Sequence, residues 1–157
     1  MLSGAVSFAH FQLLGLCTSG RDQGSFGFEY ESLIEHVDFY IRLMCEAKKQ
    51  GFIFNKVRIT FTAFDEIRLT LLKSILNHFS LKNPEISFQM DQQRQNGKGY
   101  YREAAFQIWI SDTKDQDYLI VDGGFTDWTQ KLLANRKERL LISGMGSERF
   151  IFCFRPK

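Results

Sequence analysis

The sequence has few of the residues that mark disulfide frameworks and metal sites. It contains only three cysteines and three histidines in 157 residues. Cys17, Cys45 and Cys153 are odd in number and far apart, which predicts buried free thiols in a reducing compartment rather than a disulfide framework. No Cys-x-x-Cys or His-x-x-His pair occurs, and the histidines are isolated from one another in sequence. We therefore expect no metal site and read the histidines as ordinary core or surface residues.

Long apolar runs and an excess of charge are also missing. No apolar run approaches the roughly 20 residues that a membrane-spanning helix needs. The formal net charge is +2, and the basic residues are scattered, so charge alone does not indicate a nucleic-acid partner. The amino terminus lacks the basic start and cleavage site of a signal peptide. These absences predict a cytoplasmic protein without a membrane partner.

What the chain does have is the composition of a globular protein. Hydrophobic residues make up 44% of it and aromatic residues 15%, including sixteen Phe. That content excludes intrinsic disorder and supplies enough apolar surface for a real core. We find no internal repeat and no linker, so residues 1–157 are expected to form a single domain.

Hydrophobic periodicity predicts the element order β-α-β-α-β-β-β-α-β. The predicted strands are 7–18, 56–63, 85–90, 103–111, 117–124 and 138–144, and the predicted helices are 30–51, a second one capped by Asp65 and ended by Asn83-Pro84, and 127–137. The strands cluster in the second half, and 103–111 and 117–124 form a hairpin. Hairpin connections favour an antiparallel sheet flanked by helices, an α+β fold.

Three blocks in the second half resemble the catalytic domain of class II aminoacyl-tRNA synthetases, most closely the histidyl type. "NGKGYYREAAFQIWI" resembles a segment in which Gly97, Tyr100, Tyr101 and Phe106 match. "DGGFTDWTQKLL" resembles a Gly-Gly block, with Gly123, Gly124 and Asp127 matching. "SGMGSERF" resembles the third class II motif, with Gly146, Glu148 and Arg149 matching.

The resemblance extends upstream and leaves one alternative open. "AHFQLLGLCTSG" is similar to the second strand of class II motif 2, with Phe11, Gly15 and Gly20 matching. "SGMGSER" is closer to the alanyl type than to the histidyl type, so the alanyl relative remains an alternative. The resemblance also implies that a helix begins at "ERFIFCF", where propensity alone favours a strand. We prefer the helix.

The resemblance implies an antiparallel sheet that holds ATP, with Mg²⁺, and an amino acid on one face. Arg149 would contact the γ-phosphate of ATP through its planar guanidinium. Tyr100, Tyr101 and Glu103 would line or shape the amino-acid pocket. The Gly123-Gly124 pair would let the backbone approach a ligand closely, and the matching Asp127, Gly146 and Glu148 would belong to the same site.

Departures from the family fall on residues that would carry the chemistry. The Arg that stabilises charge at the α-phosphate is replaced by Asn96, and two further motif positions hold Gly99 and Phe125. Asn cannot supply a cationic fork, and the loss of such a contact commonly costs orders of magnitude in rate. Lys98 or Arg94 is the candidate to reach the same space from the loop.

Motif 1 and the first strand of motif 2 have no counterpart, so we expect a fragment of a longer protein or a shortened paralogue. Three functions follow from this. The first is a catalytically degenerate paralogue that binds nucleotide or amino acid or acts as a regulatory module. The second is an active ATP-dependent amino-acid-adenylating domain, with tRNA as an uncertain partner. The third is a ligand-free protein-interaction domain. The resemblance favours a homodimer, or else a partner chain that covers the edge strand near 7–16.

Overall fold

The computed structural model describes residues 11–156 of the chain. Its elements follow in the order β1 (Leu13–Arg21), α1 (Gly27–Lys49), β2 (Lys56–Ala63), α2 (Ile67–Lys82), β3 (Ser87–Met90), β4 (Ala104–Ser111), β5 (Asp117–Thr126), α3 (Trp128–Leu132), β6 (Glu138–Gly146) and α4 (Ser147–Phe154). The strands form one six-stranded sheet in the spatial order β1-β6-β5-β4-β2-β3. The predicted α+β architecture and element order are confirmed.

One strand pair departs from the antiparallel sheet that the sequence predicts. β2 and β3 run parallel, whereas the other four pairings are antiparallel. The connection explains the difference, because α2 carries the chain back along the sheet between β2 and β3, and a helical crossover joins parallel strands. A hairpin joins β4 and β5, as expected.

Two helix predictions at the carboxyl-terminal end have different outcomes. Residues Ser147–Phe154 form helix α4, so the helix implied by the family resemblance is confirmed over the strand that propensity favours. The helix predicted over 127–137 is wrong in length, because α3 spans only Trp128–Leu132. Ala134 adopts a left-handed φ of 48°, which ends the helix, and the Asn135 side chain accepts the Lys137 amide in the turn that follows.

The first strand also differs from its predicted bounds. Residues 7–10 of the predicted strand lie outside the described part of the chain, and β1 continues three residues beyond the expected end, to Arg21. At the second helix, the Asp65 carboxylate accepts the Arg68 amide at 2.9 Å, as an N-terminal cap does. Ile67 is exposed in the first turn of α2.

The pairing register assigns side chains to the two faces of the sheet. Residues paired across neighbouring strands point to the same side, and successive residues alternate. One row is Leu16, Ser143, Gly123, Phe106 and Phe61, and α1 packs on it; we call this side the helix face. The next row is Gly15, Gly144, Asp122, Gln107 and Thr60; we call this side the polar face.

The hydrophobic core lies between the helix face and the helices. The apolar residues that give α1 and β2 their periodicity are buried there: Leu33, Val37, Tyr40, Ile41 and Met44 from α1, and Val57, Ile59 and Phe61 from β2. Phe150 and Phe154 of α4 contact Phe54 edge-on at 6.1 and 5.7 Å between ring centres. These aromatic rings thus fill the end of the core beneath α4.

A buried polar network ties α1 to β1 and β6. His36, only 2% exposed, lies on the helix face with Nδ1 2.8 Å from the Ser143 hydroxyl and Nε2 2.9 Å from the Thr18 hydroxyl. The Tyr40 hydroxyl is 2.9 Å from the same Ser143 oxygen. Burial lowers the pKa of His36 to about 4, although Glu35 acts in the opposite direction. The ring is therefore neutral at neutral pH and can both donate and accept in this network.

The cysteine prediction needs correction. All three thiols are free, as expected, but Cys17 and Cys45 are exposed rather than buried. Cys17 lies on the edge strand β1 and Cys45 on the solvent side of α1, and no element within residues 11–156 buries either thiol. Separately, none of the helices within residues 11–156 combines the length and apolarity needed to cross a membrane.

The His36 network predicts loss of stability in acid. The unfolded chain binds the proton near the ordinary pKa of 6.5, whereas the folded protein binds it only near 4. The unfolded state therefore holds more protons between these values, and the free energy of unfolding falls as pH decreases through them, by about 3 kcal/mol in total. Urea unfolding measured across this range checks the prediction.

The matched variants for this prediction are His36→Gln and His78→Gln. The first should flatten the acid loss, because it removes the group that titrates. The second changes a histidine of α2 outside the network and should keep the wild-type dependence on pH. An equal dependence in wild type and His36→Gln would contradict the assignment.

Candidate functional site

The polar face has a floor of bare backbone where β1 pairs with β6. Gly15 of β1 and Gly144 of β6 are direct register partners in the row that also contains Asp122. A Cβ atom built on Gly144 would have no atom within 4 Å, and one on Gly15 would meet only the Ser143 carbonyl oxygen at 4.0 Å. Within residues 11–156, no side chain fills the space above these two glycines, so a ligand can occupy it.

Arg94, which the sequence places among the candidate catalytic residues, lies beside this floor. Its side chain is 4% exposed and its Nη2 donates to Asp122 Oδ1 at 2.8 Å. Its Nε donates to the Asn96 carbonyl at 2.8 Å, and the guanidinium stands 5.7 Å from the Tyr101 ring centre. The Arg94 charge is thus neutralised by a protein carboxylate, and the loop between β3 and β4 is held against the polar face.

Tyr101 occupies the position above Gly124. The tyrosine is 6% exposed, and a Cβ on Gly124 would lie 2.6 Å from its ring and 2.8 Å from the Ala104 carbonyl oxygen. Burial raises the pKa of the Tyr101 hydroxyl well above its usual value, so this hydroxyl stays protonated. Glycine at 124 is required for the tyrosine to pack, and the protein's own ring fills the space that the family resemblance assigns to a ligand.

Gly123 faces the other way. A Cβ at this position would lie 2.6 Å from Ser143 Cβ and 2.7 Å from the Phe106 ring, on the helix face. Because glycine has no side chain, core residues can pack directly against this position, next to the His36 network. The two consecutive glycines therefore serve opposite sides of β5, and only Gly124 belongs to the polar face.

Arg149 stands at the border of the glycine floor. It lies in the first turn of α4 and is exposed, and its Nη1 donates to the Leu119 carbonyl oxygen at 3.3 Å. A Cβ on Gly146, which points to the polar face, would be 3.6 Å from Arg149 Cβ. The neighbouring Glu148 accepts the Gln12 amide at 3.3 Å, which links α4 to the start of β1.

Tyr100 and Lys98 lie at the outer surface of the loop. Tyr100 is 52% exposed and contacts Tyr101 and Trp128 edge-on. Lys98 is exposed and has its amide bonded to the Gln95 carbonyl. Neither side chain is buried over the polar face, in contrast to Arg94 and Tyr101 from the same loop.

Glu103 and Asp127 line a separate cleft where β4 begins and β5 ends. The cleft has a volume of about 290 Å³ and is also lined by Arg102 and Arg139. Glu103 pairs with Arg68 at 2.9 Å, and Asp127 pairs with Arg102 at 3.0 Å. Burial raises the pKa of Glu103, while the Arg68 charge opposes that rise. These two predicted ligand residues lie apart from the glycine floor.

Sequence reasoning missed Asp122 and Gly144 as members of the polar face. A signal for Asp122 was present, because it is the one charged residue inside the apolar run "YLIVDGGF". Such a carboxylate in a central strand needs a cation, which Arg94 supplies from a distant loop. Gly144 had no comparable signal, since only the pairing register shows that it stands next to Gly15.

Comparison with known proteins identifies the fold. No protein-family model and no curated protein matches the sequence. Among solved structures, the apo histidyl-tRNA synthetase of S. aureus matches with a TM-score of 0.62 and 17% identity, covering 91% of this chain and 39% of that chain. The chain has an aminoacyl-tRNA synthetase-like fold.

A second solved structure extends the likeness beyond one synthetase. It is described as the RNA-binding domain of threonyl-tRNA synthetase from Cryptosporidium parvum Iowa II, with a TM-score of 0.55, 10% identity and coverage of 91% of this chain and 38% of that chain. The synthetase-like chain thus spans less than two fifths of these neighbours. The likeness supports the class II synthetase-like fold but not the histidyl type in particular, because a threonyl enzyme matches too.

Two glycine variants test the geometry of the polar face. Gly124→Ala forces a methyl group into the Tyr101 ring and a backbone carbonyl, and overpacking of this kind costs about 1–3 kcal/mol. Gly144→Ala places the same methyl group in open space and should change the free energy of unfolding by less than about 0.5 kcal/mol. Urea unfolding of both variants makes the comparison, and equal losses would contradict the packing of Tyr101 on Gly124.

Proposed function

We infer that this synthetase-like domain is a catalytically degenerate paralogue that binds a nucleotide on its polar face. The observation that carries the proposal is the bare floor of Gly15 and Gly144 with Arg149 at its border. The floor offers a surface on which a ligand can lie against backbone, and the guanidinium offers a partner for phosphate. The choice of ATP as the nucleotide rests on the family resemblance of the sequence blocks, since a shared fold does not by itself fix a ligand.

Arg149 is suited to bind an anion because its charge is not already neutralised. Its guanidinium bonds to the neutral Leu119 carbonyl, and no ion pair with a carboxylate is found for it within residues 11–156. Its exposed position leaves the fork free to turn towards phosphate oxygens. A bidentate guanidinium–phosphate pair is among the stronger charge-assisted contacts in proteins.

The glycine floor complements this cation. With no Cβ atom over Gly144 and only a distant carbonyl near Gly15, a planar base or a ribose can come close to the strands. The side chains that border the floor, Asp122 and Arg94, hold each other at 2.8 Å and present a preorganised, neutral pair. Binding there needs little rearrangement of the protein.

We infer catalytic degeneracy from the positively charged side chains near the polar face. Asn96 stands where the family resemblance expects the Arg that stabilises charge at the α-phosphate, and it contributes its backbone carbonyl to Arg94. Arg94 itself is buried and paired with Asp122, so its charge is not available to a developing oxyanion. Binding without activation is the function that these residues support.

ATP binding through Arg149 is testable by thermal shift in the presence of Mg²⁺. A ligand that binds the native state raises its apparent stability, by about 2.7 kcal/mol at one hundred times the dissociation constant. We expect ATP to raise the melting temperature of the wild type and Arg149→Ala to weaken the affinity at least tenfold, since a charge-assisted contact to phosphate is lost. Isothermal titration of the same proteins gives the dissociation constants.

Two controls separate the site from general charge and fold effects. Arg155→Ala removes another exposed arginine, just beyond α4, and should leave ATP affinity unchanged. Gly144→Val fills the floor and should abolish binding while the protein remains folded. Unchanged ATP affinity in both Arg149→Ala and Gly144→Val would remove the basis of the proposal.

Degeneracy predicts a separate kinetic result. The chain should show no exchange of pyrophosphate with ATP above background when histidine, alanine or threonine is supplied, because Asn96 supplies no cation to the reacting phosphate and Arg94 is paired with Asp122. A radiolabelled pyrophosphate assay checks this. Robust amino-acid-dependent exchange would favour the active adenylating domain instead.

A further inference from the structure

No strand within residues 11–156 pairs with the outer edge of β1. β1 is the first strand in the spatial order of the sheet, and its only partner within residues 11–156 is β6. Most of its residues are exposed. An edge of this kind presents a row of backbone amides and carbonyls that can pair with another strand.

The hydrogen-bond pattern shows which backbone groups face outward. The Asp22 amide donates to the Lys137 carbonyl at 2.8 Å, one step beyond the last register pair of β1 and β6. In an antiparallel pair, alternate residues turn their N–H and C=O groups to the same partner. Even-numbered residues of β1 therefore face β6, and the outward groups are those of Leu13, Gly15, Cys17, Ser19 and Arg21.

In the described part of the chain, β1 lacks the features that usually protect an edge strand from pairing. β1 contains no proline and no lysine, and its only charge is Arg21 at the last position, which pairs with Glu138 at 3.3 Å. Natural sheets normally block an exposed edge with proline, lysine, a bulge or a covering element. The register between β1 and β6 runs without a bulge from Leu13 to Arg21.

An acidic groove follows this edge on the helix face. Its volume is about 500 Å³, and Thr18, Ser19 and Gly20 of β1 form one wall. Glu31 and Glu35 of α1 stand on the opposite wall, and both are exposed. Glu35 accepts the Thr18 hydroxyl, but neither carboxylate forms an ion pair with a Lys, Arg or His of the described residues.

We propose that β1 binds an extended segment of a partner protein that carries Lys or Arg at alternate positions. The segment adds a strand to the sheet through the outward groups of Gly15, Cys17 and Ser19. Because side chains alternate along a strand, every second residue of the segment points over the helix face. Basic side chains at those positions reach Glu31 and Glu35, which gives the groove its specificity.

Charge argues against two other occupants of the β1 edge, a second copy of this chain and residues 1–10. If two copies paired edge to edge through the same outward groups, their two-fold axis would pass near Cys17. Cys17 is next to Thr18, whose hydroxyl donates to Glu35. The Glu35 carboxylates of the two copies would then lie near the two-fold axis, where like charges repel. Residues 1–10 of this chain contain no Lys or Arg, so they lack the alternating basic side chains that the groove is proposed to bind.

The probe is a fluorescent peptide of about ten residues with alternating Val and Lys, which is long enough to span β1. We expect saturable binding to the full chain by fluorescence anisotropy, weakened by added salt. A Val–Glu peptide should not bind. Glu31→Gln/Glu35→Gln should weaken the Val–Lys peptide at least tenfold, whereas Glu46→Gln/Glu85→Gln, with the same change in net charge, should leave its affinity unchanged.

Backbone pairing is tested separately from charge. Cys17→Pro removes an outward amide and should abolish binding, while Cys17→Ser keeps that amide and should bind normally. As a test without a protein variant, N-methylation of one alternating set of peptide amides should abolish binding and methylation of the other set should not. Equal affinity for both methylated peptides, absence of Val–Lys binding, or a dimer of the chain that the peptide cannot dissociate would overturn the proposal.

Discussion

The polar face depends on the side-chain alternation of a single strand, β5. Two consecutive glycines there face opposite sides of the sheet, and each makes room for an aromatic ring. Gly123 admits Phe106 on the helix face, and Gly124 admits Tyr101 on the polar face. A methyl group at either position would meet these rings at under 3 Å. The core and the loop that closes on the polar face are therefore both fixed by missing side chains in the same strand.

Asp122 completes this constraint one residue earlier in β5. A carboxylate in a central strand is costly unless it is paired, and Arg94 pairs with it from the loop that Tyr101 anchors. The pair makes the middle of the polar face neutral. Arg149, at the border of the glycine floor, forms no ion pair with a carboxylate within residues 11–156. This division of the cations is the reason why we propose nucleotide binding without activation.

The two proposed interactions use different parts of the sheet. The pair of β1 and β6 carries the open glycine floor, and Arg149 stands beside it. The first strand, β1, contributes Gly15 to that floor, and its opposite edge, next to Glu31 and Glu35, has no strand partner within residues 11–156. Ligand binding on the face and strand addition at the edge use different groups of β1, so one does not exclude the other.

The sequence by itself determined the order of the elements, the α+β class and most core positions of α1 and β2, because apolar periodicity reports local structure directly. Family-like blocks also led to helix α4, where propensity alone favoured a strand. The parallel β2–β3 pair and the short α3 were not predicted, since a crossover and a left-handed Ala134 are set by tertiary packing.

Only the tertiary structure decided which candidate residues share a site. Pairing register separates Gly123 from Gly124, joins Gly15 to Gly144 and brings Arg94 to Asp122, while Glu103 and Asp127 go to another cleft. These relations link residues that are distant along the chain. No local pattern encodes them, because register depends on how whole strands meet across the sheet.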